Sequence, residues 1–404
     1  MSTNNYSVTL KQSSMPLKAT LFVKMLERLD NGTMHLSLPN GETYVFTGKK
    51  AGIHATLDIK NWAAIQKIMQ SGDIGVAEAY RDGWIDSPNM LDVLLIALHN
   101  EKALDNALYG NFLGTLFYRI RHYFNRNTRT NSKKNIHAHY DIGNSFYRLW
   151  LDESMTYSSA LFSDTRFNLE EAQYAKYDRM LKQLNVKAGD HILEIGCGWG
   201  AFAEYAACHY GCFVTGISLS KEQLAYAKAR IKNTAAEGKV QFEFLDYRDL
   251  KGQYDAIVSI EMLEAVGEEW WPSYFSKVAS CLKKGGRAAI QTITIANERF
   301  ASYRQKTDFI QQYIFPGGML PSPEQLDKQS QQAHLSIKDR FAFGLDYAAT
   351  LSQWREQFDQ HLHEIRAQGF DEAFIRLWRF YYWYCEAGFL TQRTDVYQLV
   401  LEHQ

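Results

Sequence analysis

At 404 residues the chain is long enough for roughly two or three domains. Hydrophobic residues at 46% and charged residues at 22% are those of a folded globular protein, and a formal net charge of −1 excludes a global drive toward nucleic acid. Five cysteines (Cys197, Cys208, Cys212, Cys281, Cys385), odd in number and without C-x-x-C spacing, exclude a disulfide frame and a zinc or other metal site and imply reduced thiols in a cytosolic protein. Met1–Tyr6 is polar and shows no secretory h-region. The longest apolar run, within Leu91–Leu98, is too short to cross a bilayer.

Residues 20 to 100 read as a small α+β domain. Thr33–Leu38 and Thr43–Thr47 alternate around Pro39-Asn40-Gly41, which predicts a hairpin. Asn61–Gln70 is expected as a helix, and Gly72–Asp86 and Met90–His99 as two further helical pieces. Between 106 and 140 there is no Asp or Glu, while Arg119, Arg121, Arg126, Arg129, Lys133 and Lys134 interleave with aromatic residues. Such a segment suits an anionic membrane surface, at about 1 kcal/mol per basic residue near the headgroups, and suits a solvated linker helix equally well. These shifts predict a domain over 1–105, a basic aromatic linker over 106–138 and a second domain over 139–404.

After His139 the pattern becomes strand–helix alternation. Strands are expected at His191–Ile195, Cys212–Ser218, Val240–Asp246, Tyr254–Ile260 and Gly286–Thr294, with helices between them such as Ser220–Lys232. Leu335–Phe343 and Val396–His403 would complete the sheet. The alternation predicts a doubly wound, mostly parallel α/β fold. The aromatic-rich stretches 298–330 and 346–390 are expected to be helical and to cap the crevice at the strand ends.

The first of these strands delivers Glu194 and then three alternating glycines, Gly196, Gly198 and Gly200. Each lets the backbone turn tightly and lets a ligand approach where a Cβ would clash. The E-x-G-x-G-x-G spacing differs from the dinucleotide fingerprint and resembles the S-adenosylmethionine (SAM) loop of class I methyltransferases. Ligands bind beyond the carboxyl ends of the strands in such sheets. Ser218 and Gln223 are therefore candidates for ribose contact, although Ser220-Lys-Glu-Gln223 also reads as a helix capping box. Asp246 is expected to accept from an adenine amino group, with Tyr247 packing on the ring. The fourth strand runs into Glu261 and Glu264, spaced to share one face if a helical turn begins there; either one of them meets substrate at the crevice or the pair complements the charge of a helix N-terminus.

Several segments, in order along nearly the whole chain, resemble the cyclopropane fatty acid synthase family. They are Gly72–Asp86 (GDIGVAEAYRDGWID), His139–Trp150 (HYDIGNSFYRLW), Met155–Ser159 (MTYSS), Glu194–Gly200, Leu245–Asp249, Glu264–Gly267, Tyr313–Ser322 (YIFPGGMLPS) and Phe343–Tyr347 (FGLDY). The resemblance implies a class I methyltransferase fold and a SAM-dependent transferase acting on cis double bonds of phospholipid acyl chains. It also implies a homodimer attached peripherally to the cytoplasmic face of the membrane. An alkene would take the SAM methyl, and a bound bicarbonate ion would act as general base for ring closure. Mapped by motif, Glu264 supplies the carboxylate of that ion site, Tyr347 its phenol, Gln291 stands where the family usually has His, and Ser159, with its backbone, where it has Cys. An amide cannot titrate near neutral pH as imidazole does, so a methyl-branched or methylene product stands as an alternative; a small-amine methyltransferase stands as another, because it would share the same SAM-binding fold. Tyr157 and Ser158 are expected beside the cofactor, with Tyr157 and Tyr347 offering π faces to a cation. Cys385 is read as packing.

Overall fold

In the computed structural model the described residues are 15–102, 104, 142–164 and 166–404. The basic aromatic segment and His139–Asp141 lie outside them. The chain divides into two units, Met1–Thr115 and Leu116–Gln404.

The first unit holds a four-stranded sheet in the order β2-β1-β3-β4, made of β1 (Asn31–Ser37), β2 (Thr43–Thr47), β3 (Lys50–Ile59) and β4 (Ile85–Asp86). The expected hairpin is present: Met34 pairs with Phe46 in an antiparallel register, and Gly41 at φ +85° donates its N–H to Leu38 O at 2.9 Å. Strand β3 was not expected; it lies parallel to β1, and only its later half alternates cleanly, burying Ala55, Leu57 and Ile59. Helices occupy Trp62–Ser71 and Met90–His99, each opened by an asparagine, Asn61 or Asn89, whose side chain accepts a first-turn N–H. A further helix, Leu17–Leu26, carried no prediction. The segment expected as one helical piece from Gly72 to Asp86 divides instead: helix Asp73–Arg81 ends, Gly83 turns at φ +70°, and the chain enters β4.

Gly75 explains the second glycine of GDIG. A Cβ there would lie 2.2 Å from Lys67 O of the neighbouring helix, a backbone atom that cannot step aside. Gly75→Ala is expected to destabilise this unit by about 1–3 kcal/mol through overpacking, measured as a lowered urea midpoint with an unchanged slope.

The second unit holds a seven-stranded sheet in the order β10-β11-β9-β8-β5-β6-β7. Its strands are β5 (His191–Ile195), β6 (Phe213–Ser218), β7 (Val240–Phe244), β8 (Tyr254–Ile260), β9 (Leu282–Ile295), β10 (Leu335–Ala342) and β11 (Thr394–His403). Strands β5 to β9 pair in parallel, and β11 runs antiparallel between β9 and β10. This is the doubly wound, mostly parallel arrangement that the alternation predicts. Successive residues of β5 serve opposite faces. Leu193 and Ile195 join a core with Trp271, Tyr274 and Phe275, whereas Ile192 joins Leu181, Phe202 and Val214. Helix Leu169–Leu184 opens on a capping box, Asn168 with Glu171, in which each side chain accepts the other residue's N–H. The aromatic stretch 298–330 is helical only in pieces, Asn297–Tyr303, a π turn Ile310–Ile314 and Pro323–Gln332. The stretch 346–390 forms helices Gly344–Gln360 and Glu372–Leu390, which bury Trp354, Phe358, Trp378 and Tyr382 around Phe146 and Trp150. Among the described residues no helix is long and apolar enough to cross a membrane, and no cluster of His, Cys, Asp and Glu could hold a metal ion.

Candidate active site

The glycine loop sits where β5 ends and helix Ala201–Tyr210 begins. All three glycines have positive φ, +87° at Gly196, +49° at Gly198 and +85° at Gly200. They serve different ends. A Cβ at Gly200 would lie 2.8 Å from Phe242 and 2.9 Å from Ala227, and one at Gly196 would lie 3.0 Å from Met262, so both positions are closed by packing. A Cβ at Gly198 would meet nothing within 4 Å among the described residues, so on their side this peptide faces open space. Glu194 is buried, and its Oε2 has no hydrogen-bond partner among the described residues. Burial pushes its carboxyl well above the usual range, a cost that a cationic ligand group at the loop would offset. An open glycine turn beside a lone buried carboxylate oxygen fits the ammonium-bearing methionine end of SAM.

At the end of β6 the Ser218 hydroxyl donates to Gln223 Oε1 at 3.1 Å and accepts from Ser220 N at 3.1 Å. Ser220 caps its helix by accepting from Gln223 N at 3.2 Å. Gln223 therefore contributes its backbone to the cap, while its side chain turns toward Ser218 at the strand end. The Asp246 carboxylate is held by Arg248 through two bonds of 2.8 and 2.6 Å, and it also caps the turn by accepting from Arg248 N. It is a buried, ion-paired cap at the strand end, and its oxygens keep acceptor sites beyond those that Arg248 fills. Tyr247 lies edge-on to Tyr274, with ring centroids 5.6 Å apart.

The centre of the site is Glu261. Its Oε1 accepts from Ser159 N at 2.9 Å and from Gln291 Nε2 at 2.8 Å, and its Oε2 accepts from the Tyr347 hydroxyl at 2.7 Å. Its backbone N–H donates to Gln291 O at 2.8 Å, and its φ is +49°, a strained value for a residue with a Cβ. The orientation of Gln291 is set from behind. Gln291 and Gln398 face each other across β9 and β11, and Gln398 Nε2 donates to Gln291 Oε1 at 3.0 Å, which turns the Gln291 amide nitrogen toward Glu261. Arg179 in turn donates to Gln398 Oε1 at 2.7 Å and to Asp339 at 2.5 Å.

Ser159, Gln291 and Tyr347 thus come together as the resemblance implies, but around Glu261 and not around Glu264. Glu264, three residues on, diverges because the strained backbone at 261 is followed by a 3-10 turn, Leu263–Ala265. Its Oε1 accepts from Ile293 N at 2.5 Å and Thr292 Oγ1 at 3.1 Å, and its Oε2 is buried without a partner among the described residues. Burial, with the Glu261 charge adding to it, pushes the Glu264 carboxyl up to about 8. Burial also raises Glu261, but Lys176, the Tyr347 hydroxyl and the Ser159 N–H oppose it. The pair is therefore split, with Glu264 keeping its proton at neutral pH while Glu261 has the partners that favour an anion. The resemblance assigns to a bicarbonate ion the backbone N–H at Ser159, the Gln291 amide, the Tyr347 phenol and the Glu264 carboxylate. The first three are engaged by Glu261 and Glu264 is held by Ile293 N and Thr292, so the residues present do not fit that ion.

Lys176 was not expected here. It is fully buried, donates to Ser158 Oγ at 2.7 Å and to Gln173 Oε1 at 2.5 Å, and is pushed down to about 7 by burial against the pull of Glu261 and Asp152. Ser158 is thus tied to helix Leu169–Leu184, its carbonyl also accepting from Gln173 Nε2 at 2.9 Å. Tyr157 shares a hydrogen bond of 2.9 Å with Tyr381 and is walled by Tyr147, Trp150, Trp354 and Phe315 at centroid distances of 5.2–6.2 Å. Tyr347 stacks on Phe389 at 4.5 Å. Burial pushes the Cys385 thiol up, consistent with packing and not with a thiolate nucleophile. Lys176 carried no signal in the chain, and Glu261 is marked there only as one of two carboxylates three residues apart; the departures at 159 and 291 are the further sign of a rebuilt site.

A family model described as mycolic acid cyclopropane synthetase matches residues 127–399. The tuberculostearic acid methyltransferase of Mycobacterium tuberculosis is 37% identical over 84% of this chain and 81% of its own length. The cyclopropane-fatty-acyl-phospholipid synthase of Escherichia coli is 34% identical over 86% of this chain and 87% of its own. Among solved structures, a cyclopropane synthase from Mycobacterium tuberculosis aligns with TM-score 0.63 and 30% identity, over 67% of this chain and 97% of that one. A mycolic acid cyclopropane synthase complexed with SAH (S-adenosylhomocysteine) and CTAB aligns with the same figures.

Proposed function

The chain belongs to the mycolic acid cyclopropane synthetase family, and from that premise we propose that it is a SAM-dependent transferase that converts cis double bonds of phospholipid acyl chains into cyclopropane rings. Bound SAM supplies an electrophilic methyl, which the alkene carbon takes to leave a carbocation on the acyl chain. The chain's own residues meet each need of that chemistry. Gly198 leaves the approach open, and Glu194 faces the cationic end of the donor. The rings of Tyr157, Tyr347 and their aromatic neighbours present π faces to a passing positive charge and exclude water that would otherwise capture it.

The observation that carries this reading is the half-buried Glu261 carboxylate, held by three donors one residue from Met262, which packs on the glycine loop. A carboxylate among π faces would also serve an amine methyltransferase, as the base that takes the amine's proton, so the choice of an acyl chain rests on the family and on its lipid-acting relatives. The test is to incubate the purified protein with SAM labelled in its methyl group and vesicles containing cis-unsaturated phospholipid. Label in the hydrocarbon portion, with high-field ring protons by NMR, is the expected result. Lipids without label in their acyl chains would end the reading. A second reading, a methyl-branched product, draws on the methyltransferase relative and on the amide at Gln291; labelled acyl chains without ring protons would favour it.

We also place the protein at an anionic membrane surface, on the strength of the acid-free segment at 106–140 with its six Lys and Arg residues. Co-sedimentation with anionic but not zwitterionic vesicles, weakening as salt rises, is expected.

A further inference from the structure

We propose that Glu261 is the protein's own general base for ring closure, standing where a diffusible bicarbonate ion would otherwise be held. The inference rests on the cyclopropanation reading above and adds the identity of the base. Three donors from three distant parts of the chain, the Ser159 N–H, the Gln291 amide and the Tyr347 phenol, converge on this one carboxylate. Two of them belong to fully buried residues, and the third, Tyr347, is nearly so. Such a cluster of donors is a ready-made anion site, and its anion is covalently part of the chain. The backbone is distorted to bring it there: φ at Glu261 is +49°, in the left-handed region that favours glycine. Strain of this kind persists where the surroundings hold it, and here the hold is the backbone bond from Glu261 N to Gln291 O together with the three side-chain bonds.

The step balances within the site. One C–H bond of the newly added methyl group breaks. Its electron pair forms the C–C bond that closes the ring and neutralises the cation, and the proton passes to the Glu261 carboxylate. The protonated carboxyl returns its proton to water when product leaves. Glu264 does not compete for the role, because its Oε1 is held by Ile293 N and Thr292 and it retains its own proton at neutral pH.

The test uses the full-length protein with SAM and cis-unsaturated vesicles in argon-purged, CO2-free buffer. Wild type is expected to form ring at a rate that changes less than about twofold when millimolar bicarbonate is returned. Glu261→Gly removes the carboxylate at a backbone angle that glycine adopts without strain, so it should fold. Its ring formation should fall at least about 100-fold without bicarbonate, within the usual contribution of a general base, and added bicarbonate is expected to restore part of it. Glu261→Gln keeps the volume but cannot take the proton, and should stay inactive in either buffer. A second readout does not depend on turnover: the 13C line of labelled bicarbonate should broaden on addition of Glu261→Gly protein and not of wild type. Wild-type activity that collapses without bicarbonate, wild-type broadening of the 13C line, or wild-type ring formation by Glu261→Gln would each overturn the proposal. If wild type transfers no label to acyl chains under any condition, it is the broader reading that has failed, and the 13C measurement still decides whether Glu261 fills the anion site.

Discussion

Gly198→Val is expected to raise the dissociation constant for SAM at least about 100-fold, equivalent to about 2.8 kcal/mol of lost binding, while the protein remains folded. Two effects combine. A left-handed backbone costs a residue with a Cβ about 1–2 kcal/mol, and Gly198 sits at φ +49°. The larger effect is steric. A Cβ at Gly198 meets nothing within 4 Å among the described residues, so a valine would project into the space the ligand needs. The control is Gly238→Val. Gly238 also has positive φ, +81°, and open space around its Cβ, but it lies in the turn before β7, at the opposite end of that strand from the ligand-facing ends. It should lower thermal stability by a similar amount and leave SAM binding within about twofold. Calorimetric titration of both variants distinguishes the two effects. Equal loss of binding in both would show strain acting through the fold, and retained binding in Gly198→Val would remove the loop from the ligand site.

Much of this arrangement was legible in the chain because the signals are local. His191–Ile195 is an apolar run bounded by a glycine turn, and it forms the strand those residues predict. Tyr254–Ile260 and the helix after Ser220 follow the same logic. What could not be read is what depends on long-range register and on backbone strain. Strand β3 is parallel to β1, a pairing that no hairpin signal announces. Gln291 meets Gln398 only because β9 and β11 pair in one particular register. Glu261 and Glu264 look equivalent in sequence, two carboxylates three residues apart. A positive φ at the first and a 3-10 turn after it send them to different partners, and Tyr347 reaches Glu261 from 86 residues away. Ser159, Gln291 and Tyr347, which the ordered motifs named, meet at one carboxylate, and that carboxylate is Glu261 where the motifs pointed to Glu264.

Tyr347→Phe is expected to reduce ring formation about 10- to 150-fold at neutral pH with SAM affinity unchanged, the size of a hydrogen bond to a charged group of about 1.5–3 kcal/mol. The phenol donates to Glu261 Oε2 at 2.7 Å and holds the proton affinity of that carboxyl down. Without it, Oε2 loses its donor in a half-buried setting, the carboxyl binds its proton more tightly, and less of it is the active anion at a given pH. Since the base works when deprotonated, the acid limb of the pH–rate profile should move to higher pH in the variant, and raising the pH should recover part of the lost rate. Two neighbours limit that recovery in known directions. Lys176, at about 7, loses its charge over the same range and stops favouring the anion, and Glu264, at about 8, gains a negative charge that disfavours it. The variant's profile should therefore rise more slowly than a single titration and flatten above pH 8. Phenylalanine keeps the ring, so the stack on Phe389 at 4.5 Å and any π contribution to the cation survive. A rate loss with no displacement of the acid limb would assign Tyr347 to substrate positioning alone, whereas a displaced limb with a near-normal plateau would show that the phenol acts through Glu261.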